Sequence, residues 1–328
     1  MKWPVNVHFL FQTLCIVTID LIQSAMIRSD KMSNTGLKCL SVLVKGIKNM
    51  KINMVDINIA HAANYNGTLE EGRTTKNILY NRPPVQDYNG ITMVTDKFIS
   101  QVENIRSKYL VAWLMEPRAL DPGAYETLEA NLKYFDLILT YDFELLSKYP
   151  EKCEYVPADG LFVDTNSIYN DSIIKTKDIS HIYSKKRDLE GHRLRHTIAS
   201  KLDGFDCFGS GTTKPLKYKS DGLNDYRFSI VVENNRAKNY FTEKILDCFA
   251  CRTIPIYWGA PNINDFFDMD SIITFETIDD LRNILPMLNE EKYNSMFKSL
   301  QKNYEESLNY YDFDEIIYQA LKSRIGTS

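Results

Sequence analysis

Between Tyr226 and Phe249 the chain runs from an apolar stretch through a polar loop into an amphipathic segment, and the loop carries acids, amides and cations at close spacing. Glu233 and Asn234 end the apolar stretch, where their side chains could bond loop backbone or ligand hydroxyls. A helix is expected to begin near Phe241, which sets Glu243 and Lys244 in its first turn. A helix N-terminus leaves N–H groups unpaired and carries partial positive charge, both suited to a phosphate. Lys244 adds a full charge there. The residues alone also allow a plainer reading, in which Thr242 and Glu243 cap a helix and Lys244 is solvated.

Two other places carry chemistry. Ser184-Lys185-Lys186-Arg187 through Gly191-His192-Arg193-Leu194-Arg195-His196 is locally basic in a chain whose formal net charge is −4. It is either a solvated basic loop or a second set of cations for the same anion. Glu116 follows the continuous apolar run Lys108–Met115 and precedes Pro117. A carboxylate at the carboxyl end of a buried strand projects into a cleft, unless Pro117 fixes it as a turn residue. Asp268-Met269-Asp270 has the spacing that holds a divalent metal in some transferases, but it lies outside the other constellations and reads as an acidic turn. Cys248 and Cys251 share one face of an apolar helical run, and no second cysteine pair completes a zinc site, so they read as core.

These residues sit on alternating strands and helices. Residues 51–57, 108–115 and 136–140 read as strands, with a helix over Pro122–Tyr134 between the last two. Residues 179–184, 205–209, 227–232, 253–257 and 272–275 read as strands in the second half, with helices over 192–202 and 241–251. Strand–helix–strand spacing predicts parallel sheets. Two successive units, joined between about Val156 and Ile179, imply an α/β protein with two facing nucleotide-binding-like domains. Ligands in such folds sit at the carboxyl ends of the strands. The expected divisions are 1–48 as a helical extension, 49–165 and 166–300 as the two domains, and 301–328 as a C-terminal helix.

Composition excludes several classes. Hydrophobic residues are 44% and charged residues 25%, a globular balance. The acidic net charge argues against nucleic-acid binding. A glycine-rich dinucleotide turn of the G-x-G-x-x-G kind is missing, since Gly209-Ser210-Gly211 lacks the rest, which argues against a dehydrogenase. Residues 5–27 are apolar but interrupted by His8, Gln12, Asp20 and Gln23. An amphipathic or buried helix is favoured there over a membrane span. Lys2 before the segment against Arg28 and Lys31 after it would leave the remainder cytoplasmic.

The run FSIVVENNRAKNYFTEKILDCFACRTIPIYWGAP resembles the signature block of the alpha-1,3-fucosyltransferases, glycosyltransferase family ten. The matching pieces are Phe228, Glu233-Asn234, Tyr240 to Lys244, Pro255 and Gly259-Ala260-Pro261, with Val232 and Asn235 as departures. The resemblance implies a GT-B architecture of two Rossmann-like domains, with a GDP-sugar donor held by the C-terminal one. It implies that Glu243 binds the ribose hydroxyls, that Lys244 and Arg195 touch the diphosphate, and that Asn234 and Tyr240 line the donor pocket. Glu233 and Lys185 join that donor-binding set, and Arg193 competes with Arg195 for its place. Inverting transfer to a glycan acceptor needs a base for the acceptor hydroxyl, and Glu116 is the candidate. No metal or other cofactor is demanded, because cations already stand where the charge develops. A different nucleotide sugar, or a catalytically silent binding protein, would keep the same fold.

Overall fold

Strand β4 (Arg106–Leu114) shows why the first half folds as it does. Leu110 to Leu114 are all buried, and they alternate between two cores. Val111 and Trp113 face Phe313, Ile317 and Leu321 near the C-terminus, whereas Leu110, Ala112 and Leu114 face Ala124, Tyr125 and Leu128. A strand covered on both faces needs an unbroken apolar run, as parallel strands do. The computed structural model describes residues 49–56, 77–81, 84–170 and 173–326, all within a single unit of the chain, Asn49–Ser328. The apolar segment 5–27 lies outside the described residues. Among the described residues no helix is long and apolar enough to cross a membrane.

Six parallel strands form the first sheet: β1 (Met50–Val55), β2 (Ile78–Asn81), β3 (Asp87–Thr95), β4, β5 (Leu137–Thr140) and β6 (Cys153–Tyr155), in the order β2-β1-β3-β4-β5-β6. Helix α1 (Pro122–Ala130) joins β4 to β5. Asp121 caps it by accepting from the Ala124 N–H, and Pro122 stands in the first turn, where its missing N–H costs nothing. The helix expected to reach Tyr134 ends earlier. Asn131 leaves helical geometry and a short 3-10 turn, Leu132–Tyr134, completes the connection. Helix α2 (Phe143–Lys148) follows β5, and α3 (Thr165–Ile168) lies in the link to the second sheet.

The second sheet has five parallel strands, β7 (Lys177–Ile182), β8 (Asp206–Phe208), β9 (Tyr226–Val232), β10 (Ile254–Trp258) and β11 (Ile273–Thr274), ordered β11-β10-β9-β7-β8. Strand order reverses between β7 and β9, the place where open α/β sheets present a ligand crevice. Helix α4 (Glu190–Lys201) leaves β7, and α5 (Glu243–Ala250) leaves β9. Cys248 and Cys251 are both buried in the core between this sheet and its helices.

Helices α6 (Ile278–Ile284) and α7 (Glu290–Ser307) close the second domain. Helix α8 (Phe313–Ile325) then crosses back to the first sheet, where Phe313 stacks on Trp113 with ring centroids 5.9 Å apart. The chain thus adopts the GT-B architecture: two parallel-sheet domains tied by a link and by a returning C-terminal helix.

Candidate active site in the groove between the sheets

The cradle is built at the β7/β9 reversal. Arg195, on α4, is buried, and its Nε and Nη2 donate to the Val232 carbonyl at 2.9 and 2.5 Å. Nη2 also donates to Asn234 Oδ1 at 2.8 Å, so the arginine aims the asparagine as well as facing the cavity. Burial lowers its pKa, with Glu233 and Glu243 opposing. Nη1 has no protein acceptor among the described residues. Arg193 faces outward and donates to the Arg187 and Asp188 carbonyls, which settles the choice between the two arginines as to which lines the cavity. Such close approach of α4 to β9 requires Gly191: a Cβ there would stand 1.7 Å from the Glu233 carbonyl oxygen.

The loop from Glu233 to Thr242 is latched rather than loose. Glu233 is fully buried, and its two carboxylate oxygens accept from the Thr242 N–H at 2.9 Å and the Thr242 hydroxyl at 2.7 Å. Of the two roles open to Glu233, bonding the loop or ligand hydroxyls, the described bonds are to the loop, and its side chain lines neither cavity. Thr242 remains extended, so α5 begins at Glu243, two residues after the expected start, with Thr242 as its cap. Asn239 adopts a left-handed φ of 64° and donates to the Tyr141 carbonyl at 3.2 Å, while Tyr240 packs on Tyr141 with centroids 5.1 Å apart. The loop therefore reaches from β9 to the end of β5.

Charge is concentrated behind that loop. Lys244 Nζ donates to Thr242 Oγ1 at 2.9 Å and pairs with Glu243 at 3.2 Å. Lys219, in a short turn before β9, pairs with Glu243 at 3.1 Å and with buried Asp247 at 2.7 Å. Burial would raise the Glu243 pKa, but Lys219 and Lys244 outweigh it and hold the carboxyl well below the usual range. Lys219 was not read from the sequence as a site residue. A lone lysine in a loop carries no signal until the fold sets it beside Glu243. Lys185 is exposed and lines neither cavity, whereas Lys186 lines the one with Arg195 and Lys244. Strand β7 ends at Ile182, and residues 185–188 are all exposed.

Two cavities open from this cradle. One, of about 340 Å³, lies under Arg195, Lys186, His192 and Lys219. The other, of about 400 Å³, is lined from the first domain by Asp96, Glu116 and Asp121 and from the link by Asp159 and Phe162. Asn234, Glu243 and Lys244 line both. Glu116 thus stands across the groove from the cations. Although Glu116 is exposed to solvent, partial desolvation raises its pKa, Lys186 and Lys244 pull it down, and Glu243 and Asp121 push it up. Asp159 is raised well above the carboxylate range by burial, with Glu243 adding to it. Burial likewise pushes Asp96 up to about 7, against two backbone hydrogen bonds that lower it. Neither Asp96 nor Asp159 was read from the sequence, since aspartates at a strand end and in a link look like ordinary turn residues.

Asp268 belongs elsewhere. Its Oδ1 accepts from the Asp270 N–H at 3.0 Å and its Oδ2 pairs with Lys302 at 2.7 Å, which is the bonding of a turn tied to α7. Among the described residues no group of three histidine, cysteine or acidic side chains is arranged to hold a metal.

Residues 174–316 match the family profile described as glycosyltransferase family 10 (fucosyltransferase) C-term. A segment of 108 residues is 35% identical to the alpha-(1,3)-fucosyltransferase FucT of Helicobacter pylori, covering 32% of this chain and 22% of that protein. The chain is therefore aligned with only about a fifth of that relative's length. A crystal structure of alpha1,3-fucosyltransferase with GDP superposes with a TM-score of 0.54 at 17% identity, covering 92% of this chain and 94% of the other. A crystal structure of alpha1,3-fucosyltransferase with GDP-fucose gives 0.51 at 16% identity over 88% and 93%. At those identities the superpositions speak for the fold alone, whereas the profile spans the loop, α5 and the cradle. Residues 174–316 are thus similar to the C-terminal part of glycosyltransferase family 10 (fucosyltransferase).

Proposed function

We propose that the protein is an inverting fucosyltransferase that moves fucose from GDP-fucose to a glycan hydroxyl in alpha-1,3-type linkage. The observation that carries this reading is the set Asn234, Glu243 and Lys244, which lines both the Arg195 cavity and the Glu116 cavity. In it the diphosphate lies against Lys244, Arg195 Nη1, Lys219 and Lys186. The ionised Glu243 carboxylate accepts from ribose hydroxyls. The acceptor oxygen attacks the anomeric carbon from the Glu116 side, the bond from that carbon to the phosphate oxygen breaks, and Glu116 takes the hydroxyl proton. Charge gathers on the departing GDP, so cations placed against it stabilise the transition state more than the ground state.

The donor assignment is supported by the family and by relatives crystallised with GDP and GDP-fucose. A panel of nucleotide sugars tests it on the full chain, following thermal shift and nucleotide release with neutral oligosaccharides as acceptors. GDP and GDP-fucose are expected to raise the melting midpoint, and GDP-fucose to release GDP. Stabilisation by a uridine nucleotide and none by GDP would overturn the donor assignment.

A further inference from the structure

The ladder between β3 and β4 ends at the pair Thr95–Trp113. On its other edge β4 pairs through Leu114–Thr140, and among the described residues no strand pair includes Met115 or Glu116, yet the direction of the Glu116 side chain depends on how those two peptide units are turned. Asp96 is the next residue after Thr95. Its Oδ1 accepts from the Met115 N–H at 2.9 Å and the Glu116 N–H at 3.2 Å. On the other side the Tyr125 hydroxyl donates to the Glu116 carbonyl at 2.8 Å. The peptide unit on each side of the glutamate is therefore gripped, and Pro117 follows.

Asp96 does this at a backbone cost. Its φ is 36°, in the left-handed region that residues with a Cβ seldom adopt, although aspartate and asparagine do so more often than most. It opens the short helix Asp96–Asn104, but that helix shows no side-chain cap bond at its N-terminus. The carboxylate is turned across the strand ends instead of serving its own turn, and it lines the same cavity as Glu116. Strain of this kind persists where the surroundings over-determine it and clusters at functional sites.

We propose that Asp96 is the positioning residue for the base, accepting two strand-end N–H groups so that the Glu116 carboxylate enters the groove facing the donor. This rests on the reading of Glu116 as the base. Misplacing a reacting group by about 1 Å costs on the order of 100-fold in rate, so the effect belongs in kcat rather than in donor binding.

The test compares Asp96→Gly, Asp96→Asn and Glu116→Gln in the full chain, measuring kcat and KM for GDP-fucose and the Kd of GDP. Glycine accepts the left-handed backbone but removes the acceptor; its kcat should fall about 10- to 100-fold with the GDP Kd unchanged. Asparagine keeps a side-chain oxygen acceptor and should restore most of that loss. If the glycine variant does not fold, Asp96→Ser, whose shorter side chain cannot reach both N–H groups, takes its place. Wild-type kcat in the glycine or serine variant, or a loss that appears equally in GDP affinity and is not rescued by asparagine, overturns the proposal. Glu116→Gln separates the two ideas: full turnover there removes the base, whereas loss there with a normal Asp96→Gly removes only the positioning role.

Discussion

Lys219 and Glu116 show opposite sides of the same electrostatic problem. Lys219 is enclosed between Glu243 and Asp247, and burial that would lower its pKa is outweighed by those two carboxylates. Asp247 in turn accepts the N–H groups of Phe162 and Val163 in the link at 2.8 and 3.2 Å. Removing the lysine would leave buried charge without its partner, which typically costs about 3–5 kcal/mol. Lys219→Met is therefore expected to lower the thermal midpoint clearly and to weaken GDP binding together with it, measured by melting with and without GDP. For Glu116 the shift is upward, and a base works only when deprotonated. Turnover should then fall with decreasing pH at a higher pH than an ordinary glutamate would give. Lys186 is the largest of the charges that lower Glu116. Lys186→Met should move that acid limb further up, read from the pH profile of kcat/KM; an unmoved limb would mean that Glu116 is not the titrating group.

At the scale of elements, the site depends on how α4 and α5 meet the end of β9. Gly191 N–H donates to the Asn234 carbonyl at 3.1 Å, and the glycine lets the first turn of α4 lie against Glu233. Gly191→Ala would force those backbones apart. Overpacking of that sort costs roughly 1–3 kcal/mol, and here it also displaces Arg195 and Asn234. The variant is expected to lose GDP affinity beyond what its lower melting midpoint explains. Much of this was legible beforehand. The apolar runs before Glu116 and Glu233 announce buried parallel strands, and the spacing from Tyr240 to Lys244 announces a helix start. What the residues did not show is which acid lines the groove and which is a latch. Glu233 and Glu243 are alike in sequence, and only the extended Thr242 directs the first inward to its own loop. Strands β2, β3 and β6 were not among the expected ones: β2 and β6 have only four and three residues, and in β3 Asn89 and Gly90 break the apolar pattern where its register shifts between Tyr88 and Ile91.

The whole molecule brings together residues from three stretches of chain that no local pattern links. The first sheet supplies Glu116 and Asp96, the link supplies Asp159 and Phe162, and the second sheet supplies the cations. Helix α8 returns to the first sheet and stacks Phe313 on Trp113, the residue that ends the β3–β4 ladder just before Glu116. Phe313 also lines the Glu116 cavity, so the last helix forms part of the groove it stabilises. The long apolar run of β4 was visible as a buried strand, but the partner that covers it lies about 200 residues further on, and such pairing is not encoded in any short window. The central claim is that one charged cradle holds a sugar diphosphate opposite a separate base. Calorimetric titration of GDP into the wild-type chain, Lys244→Ala and Glu116→Gln tests it most directly. The account predicts that Lys244→Ala loses most GDP affinity while Glu116→Gln binds as the wild type does; equal binding by all three, or loss in Glu116→Gln alone, would contradict it.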